Sequence, residues 1–256
     1  MRERLLAPAE EPGLWTPPGA GTRVLDGPGL TIVCRRRSGT VERVRIAPGG
    51  VAAALSRTRA VARAEGLTEL FWWIGELSGP DGVGAELEAL GLEPYAEEPV
   101  LVTLVAEAPP PEVPDVVVAP VRDVDAYRRA MEVDWDAWGI PMGDRRSRRR
   151  TLAADFERLS ASGIVEHHVA EVDGRVAGFS RLVMTLDAGV LMGGAVAPWA
   201  RGRGAYRALV RARWDASAAR GVRRLVTSAG AMSRPVLERM GFAPIGEVRL
   251  LRDPAL

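Results

Sequence analysis

The run Val196-Ala197-Pro198-Trp199-Ala200-Arg201-Gly202-Arg203-Gly204-Ala205-Tyr206-Arg207-Ala208-Leu209 has the residue types of an anion site. Its apolar start reads as a strand end, its glycines as a tight turn and its Ala/Leu/Arg continuation as the start of a helix. Glycine lets backbone approach a ligand closely and enter conformations that a Cβ disfavours. The first amides of a helix have no intrahelical acceptor and sit at its positive end, which suits a pyrophosphate. Arg201 and Arg203 add charge-assisted donors. A Gly-x-Gly alone is as often an ordinary turn. Strand, Val-x-Pro, Arg-Gly-x-Gly and amphipathic helix in that order is a stronger signal.

With these residues the sequence resembles the GNAT family of acyl-CoA-dependent N-acetyltransferases. The family pattern is Val-x-Pro-x-x-Arg/Gln-Gly-x-Gly-x-Gly/Ala, between its fourth strand and third helix. Val196, Pro198, Arg201, Gly202 and Gly204 match, and Tyr206 stands where Gly or Ala is usual. The resemblance covers residues 115–256 and implies acetyl-CoA as acyl donor. It implies that the turn Arg201, Gly202, Arg203, Gly204, Ala205, Tyr206 binds the CoA pyrophosphate through backbone amides. It also implies that strand backbone at Ala195, Val196 and Ala197 pairs with the pantetheine arm and polarises the thioester. Two positions depart from the family: Gly230 stands where an Asn is frequent, and Leu237 where a Tyr often protonates the leaving thiolate. Ser233 and Tyr206 are the nearby hydroxyls by sequence.

An amine acceptor must lose a proton before it attacks, so a carboxylate or histidine is needed. Glu166, His167 and His168 lie on one predicted strand, where only one of the two histidines can face a given side. Glu166 and His168 are the base candidates; a packed or solvent-facing histidine is the alternative. Glu132, Trp135 and Trp138, with Asp134 and Asp136, lie on an early helix, and in the family such helices line the acceptor pocket. Trp135 and Trp138 are three apart and share a helical face. An aromatic pair beside carboxylates suits a cationic amine, and a core role is the alternative. The basic run Arg145, Arg146, Arg148, Arg149, Arg150 reads as a solvated helix start or as a contact for an anionic ligand. Trp72-Trp73 reads as strand packing, and Cys34 as a structural thiol, although Arg35-Arg36-Arg37 beside it would favour a thiolate.

These residues need elements to hold them. The proline-rich segment Pro109–Asp115 breaks the chain and reads as an extended linker. It separates residues 1–108, a degenerate GNAT-like half, from residues 116–256, the acetyl-CoA-binding half. The halves share an order of helix, glycine, strand, short helix, glycine and strand. Ala54-Leu55-Ser56-Arg57-Thr58-Arg59 corresponds to Ala208-Leu209-Val210-Arg211-Ala212-Arg213. Helices are expected over 124–138 and 146–159, then strands over 166–172, 175–186 and 190–196, with a hairpin at Asp173-Gly174. The fold class is α/β layered: two tandem domains with a mixed, mostly antiparallel sheet flanked by helices. Pro12–Gly29 reads as a loop.

Composition removes other chemistries. There is one cysteine, and the only histidines are adjacent, so a cysteine metal cluster is excluded and no metal site is expected. There is no Lys, Asn or Gln, which excludes a P-loop lysine or a Schiff base. With 34 basic and 33 acidic residues the charge is +1, so no nucleic-acid partner is expected. No apolar leader or spanning segment appears, so a cytoplasmic protein without a membrane partner is expected. The reading is acetyl transfer to a primary amine of a small molecule or peptide, with a homodimer plausible. The alternative is a non-catalytic acyl-CoA-binding or regulatory module.

Overall fold

The structure is a computed structural model that describes residues 1–19 and 21–256. The chain divides into two compact units. The first comprises Met1–Leu104, Ser228–Pro235 and Pro244–Leu256, and the second Val105–Thr227 and Val236–Ala243. Among the described residues no helix is long and apolar enough to cross a membrane.

The first unit begins with α1 (Arg2–Glu10), which buries Leu5 and Leu6 and carries Pro8 in its last turn, and α2 (Pro12–Trp15). Then come β1 (Thr22–Gly27), β2 (Leu30–Arg35), β3 (Ser38–Glu42), α3 (Val51–Ala64), β4 (Glu69–Ile74), α4 (Val83–Ala89), β5 (Glu93–Pro94) and β6 (Val100–Ala106, its last two residues in the second unit). Pro12–Gly29, expected as a loop, therefore contains a strand: β1 pairs antiparallel with β2 from Thr22 opposite Arg35 to Gly27 opposite Leu30. β2 and β3 are antiparallel, and β3 and β4, joined through α3, are parallel. Trp72 is fully buried in this core with Leu70, Leu87 and Val41. Cys34 is buried too, and burial pushes its thiol pKa up despite Arg23 nearby, so the structural reading holds over the thiolate one.

The second unit contains β7 (Val117–Pro120), α5 (Val124–Ala137), α6 (Met142–Ala161), β8 (Val165–Val172), β9 (Arg175–Met184), β10 (Gly189–Val196), α7 (Ala205–Ala219) and β11 (Leu225–Ala229, its last two residues in the first unit). The order β11-β10-β9-β8-β7 is antiparallel except for β10 and β11. Strand alternation gives the sheet two apolar faces. Val169 and Phe179 pack with Tyr127, Met131 and Leu152 of α5 and α6. Ala170 and Ala177 pack with Ala205, Ala208 and Leu209 of α7. The two antiparallel strands, helix and parallel strand of the first unit (β2-β3-α3-β4) recur here as β9-β10-α7-β11.

The chain ends with α8 (Arg234–Arg239) and β12 (Ala243–Arg252). A division at the proline segment would give β12 to the second half, but most of it belongs to the first unit. The reason is pairing: Arg249–Arg252 run antiparallel to Phe71–Ile74 of β4, and buried Asp253 accepts from Arg59 Nε (2.8 Å) and Nη2 (2.9 Å). The segment expected as a linker is also fastened. Arg211 of α7 donates to Pro110 O (3.0 Å) and pairs with Glu112 (3.2 Å), while Val113 packs beside Gly204.

Candidate functional site

β10 ends at Val196, and Ala197 N–H still donates to Ala177 O of β9 (2.8 Å). Pro198–Ala200 then make one 3₁₀ turn. Gly202 (φ +78°) and Gly204 (φ +87°) lie in the left-handed region, which favours glycine. Gly204 is the N-cap of α7, and no side chain caps the amides that follow. A Cβ on Gly202 would meet open space, whereas one on Gly204 would stand 2.9 Å from Val113 Cγ1. One glycine thus leaves room for a ligand and the other lets the proline segment close in.

A cavity of about 410 Å³ lies over this turn, with Gly202, Gly204, Tyr206 and three arginines, Arg201, Arg207 and Arg239, in its wall. None of the three arginines has a carboxylate partner among the described residues. Three uncompensated cations beside uncapped helix amides could hold an anion, with donors enough for more than one phosphate. Arg207 stands in the run read from the sequence but was not singled out there, and Arg239 lies outside it. Arg207 carried a usable signal, because a cation in the first turn of a helix opposes the macrodipole. The side chain of Arg203, by contrast, turns away to Asp173 in the β8–β9 hairpin (2.7 Å). That hairpin also places Arg175 over the ring of Trp199, 4.3 Å from its centroid.

β10 supplies the second feature. Its ladder with β11 covers only Gly189–Leu225 and Val190–Val226. Its ladder with β9 shifts register between Leu191 and Gly194, a bulge with Gly193 at φ +76°. Beyond the bulge, Gly194–Val196 pair only with β9. Ala197 points its N–H at β9, so by alternation the N–H and C=O of Val196 and Gly194 point to the other edge. In the first unit β3 keeps four paired residues with β4 and a further bridge from Arg45 to Gly79, so its edge is covered. Its turn at Ala47–Gly50 also lacks arginine.

The remaining candidates are placed differently. His167 and His168 lie on opposite faces of β8, both buried. His167 stacks on Phe179 and meets Tyr127, and burial, with Arg181 and His168 adding to it, lowers its pKa to about 3. His168 lies under α7, where burial and then the charge of Arg213 lower its pKa to about 4. Glu166, half-buried, pairs with Arg220 and stands 3.9 Å from His168 Nε2. Neither Glu166 nor His168 lines the cavity at the glycine turn. Ser233 hydrogen-bonds within its own turn, to Gly230 O (3.5 Å). Leu237 is 1% exposed, a core residue with no hydroxyl. The place of the frequent Asn, Gly230, is taken up by Glu98, whose carboxylate accepts from Ala231 N–H (2.7 Å).

The aromatic pair expected on α5 does not form. The helix ends at Ala137, so Trp135 is 3% exposed among Tyr127, Met131 and Leu152, while Trp138 caps the helix and is 60% exposed. The carboxylate of Glu132 is held by Arg149 Nε (2.7 Å) and Nη2 (2.9 Å), and Arg145 binds Ile140 O (2.7 Å), Trp135 O (3.2 Å) and Asp136. Arg145 and Arg149 of the run therefore fasten α6 to α5 and occupy Glu132, while Trp135 is withheld by its place in the core.

Residues 127–242 match the model of the acetyltransferase (GNAT) family. The chain is similar in structure to a tandem GNAT protein from the clavulanic acid biosynthesis pathway, at 17% identity and TM-score 0.67 over 94% of this chain and 85% of that one. It is also similar to a GCN5-related N-acetyltransferase from Kribbella flavida (17% identity, TM-score 0.64, 92% and 90% covered). A third, from Sphaerobacter thermophilus, is 20% identical with TM-score 0.62, 88% and 76% covered. At these identities the likeness is one of fold. No curated protein matches the chain.

Proposed function

We propose that the chain moves an acetyl group from acetyl-CoA to a primary amine of a small molecule or peptide, a reading supported by the match of residues 127–242 to the acetyltransferase (GNAT) family model. The observation that carries this reading is the cavity at the start of α7, where uncapped amides meet three unpaired arginines. CoA presents a diphosphate and a 3′-phosphate, and that donor set suits both. The Gly194–Val196 edge of β10 suits the amide-bearing pantetheine arm, which would add to it as a strand does. Its outward N–H groups would polarise the thioester carbonyl.

Transfer is direct. The amine nitrogen attacks the carbonyl carbon, the C–N bond forms, the C–S bond breaks and the sulfur leaves as thiolate. Holding both reactants in one site supplies much of the rate. The proton lost by the amine passes to a carboxylate or histidine base; Glu166 and His168, the candidates on β8, lie outside the cavity at the glycine turn and would serve only where the acceptor reaches β8. With Leu237 in place of a tyrosine, the thiolate takes its proton from solvent. A free thiol has a pKa of about 8.5, so this slows turnover without preventing it. The two-half organisation, with the second half carrying the donor site and the first supporting it, is part of the same proposal.

The test is release of CoA thiol from acetyl-CoA across a panel of primary amines. Thiol release that depends on one amine class supports the proposal. Acetyl-CoA that binds and stays intact with every amine overturns it in favour of a non-catalytic acyl-CoA-binding module.

A further inference from the structure

Arg213 stands on the inner face of α7 and is 1% exposed. No carboxylate pairs with it among the described residues. A buried arginine without a counter-ion is costly, and an apolar residue of similar volume would pack at less cost. Burial pulls its pKa down to about 10, with Tyr206 beside it acting the other way, so the guanidinium stays charged at neutral pH.

What the guanidinium touches is backbone. Nε donates to Leu209 O of its own helix (3.1 Å). Nη1 donates to Arg181 O of β9 (3.3 Å) and to Gly193 O in the bulge of β10 (3.2 Å). Nη2 has no hydrogen-bond partner among the described residues and lies 3.6 Å from where a Cβ on Gly194 would stand, with the Tyr206 ring edge 3.4 Å from the same point. The repeat supplies a comparison. Counted back from the glycines that follow the two helices, Gly66 and Gly221, the place of Arg213 is held in α3 by buried Thr58, whose hydroxyl donates to Ala54 O (2.8 Å) as Arg213 Nε does to Leu209 O. There the strand preceding the helix keeps its ladder with β4. At this place the first unit carries a hydroxyl bonded within its own helix beside a closed edge, and the second a guanidinium on a strand carbonyl beside an open one.

We infer that Arg213 is a positioning residue for the acyl donor: by holding Gly193 O it fixes the bulge of β10, and so keeps the Gly194–Val196 edge free to pair with the pantetheine arm. The inference rests on the donor site proposed above. It makes a prediction that general damage to the fold would not produce. The nucleotide end of CoA is held by the glycine turn and its arginines, and only the pantetheine end depends on the bulge.

The test compares titrations of acetyl-CoA and of 3′-phosphoadenosine 5′-diphosphate, which lacks the pantetheine arm, against the native chain and Arg213→Met. The expected result is acetyl-CoA affinity weakened roughly tenfold to a hundredfold, as for loss of hydrogen bonds from a charged donor, with the nucleotide affinity unchanged. Arg213→Lys, which keeps a cation and one donor in reach, should recover part of the loss. If Arg213→Met does not fold, Gly193→Val gives the same comparison. Its Cβ would meet open space, so only the φ of +76°, which a β-branched residue resists, is at stake. Equal loss of both ligands, or none, overturns the inference while leaving the donor site standing. A native chain that binds neither ligand overturns the donor site itself, and the inference with it.

Discussion

Between pH 7 and pH 4 the buried histidines should take several kcal/mol from the stability of the second unit, with Asp134, whose carboxyl pKa burial raises, acting the other way. His167 and His168 have folded pKa values of about 3 and about 4 because burial disfavours their charged forms. In the unfolded chain each titrates near 6.5. The unfolded state therefore binds more protons throughout the window from 6.5 down to about 4, and stability falls as pH falls through it. Above 6.5 the contribution is complete. For His168 alone the acid limit is on the order of 3 kcal/mol.

The first unit answers in the opposite sense. Burial raises the Glu42 carboxyl to about 7, against the hydrogen bonds from Gly13 and Thr40, so the folded state takes up a proton before the unfolded one does. Its stability grows as pH falls from about 7 toward the ordinary carboxylate range. Glu10 and Glu11 are raised in the same direction, by burial. Hydrogen exchange at pH 7 and pH 5 checks both statements. Amides of β8 and β9 should lose protection at pH 5 while those of β2 and β3 hold theirs. His167→Phe, which keeps a ring between Tyr127 and Phe179, should remove part of the acid sensitivity. Equal protection of β8 at the two pH values would refute the account of the histidines.

Replacing Arg201, Arg207 and Arg239 together with serine weakens acetyl-CoA binding by about a thousandfold. In the proposed site each would supply a charge-assisted contact to phosphate, and three contacts of about 1.5 kcal/mol would give that factor. All three side chains are exposed and unpaired, so their removal should leave the melting temperature within a few degrees of the native value. Arg203→Ser provides the contrast. Its side chain is committed to Asp173, and its contribution to the turn is a backbone amide that serine retains. Its affinity should stay within a few-fold of native. The measurement is calorimetry at low and high salt, with the native affinity falling as salt rises. A triple variant that binds within tenfold of native would remove the arginines from the donor site.

The glycine turn was legible in the sequence because its signals are local. A strand end, a Val-x-Pro, positive-φ glycines and a helix start follow one another within a few residues, and each has its own turn or cap chemistry. The hairpin at Asp173-Gly174 and the α5–α6 pair were legible for the same reason. β1 was obscured because Thr22–Gly27 sits within a Pro/Gly-rich stretch and is mostly unburied, so no apolar alternation marks it. Arg239 could not be read as a cavity residue, since it reaches Arg201 and Arg207 only through the packing of α8. The unit to which β12 belongs is equally non-local, being decided by its pairing with β4 and the Asp253–Arg59 contact. Trp138 lies one residue past the end of α5: the three-residue spacing counts only while the helix continues, and Gly139 at φ +63° ends it. Arg213 looked like any arginine on an Ala/Arg-rich helix, and only its burial without a carboxylate sets it apart.

The central claim is that the turn before α7 holds an acyl-CoA, and titration calorimetry with acetyl-CoA on the native chain and on Gly202→Asp tests it most directly. A Cβ at residue 202 meets open space, and Asp tolerates positive φ better than most residues, so the variant should fold. Its carboxylate would face the phosphates that the α7 amides and arginines attract. The account predicts one site per native chain, and binding lost in a variant that melts within a few degrees of native. A native chain that takes up no acetyl-CoA, or a folded Gly202→Asp that binds it equally well, would contradict it.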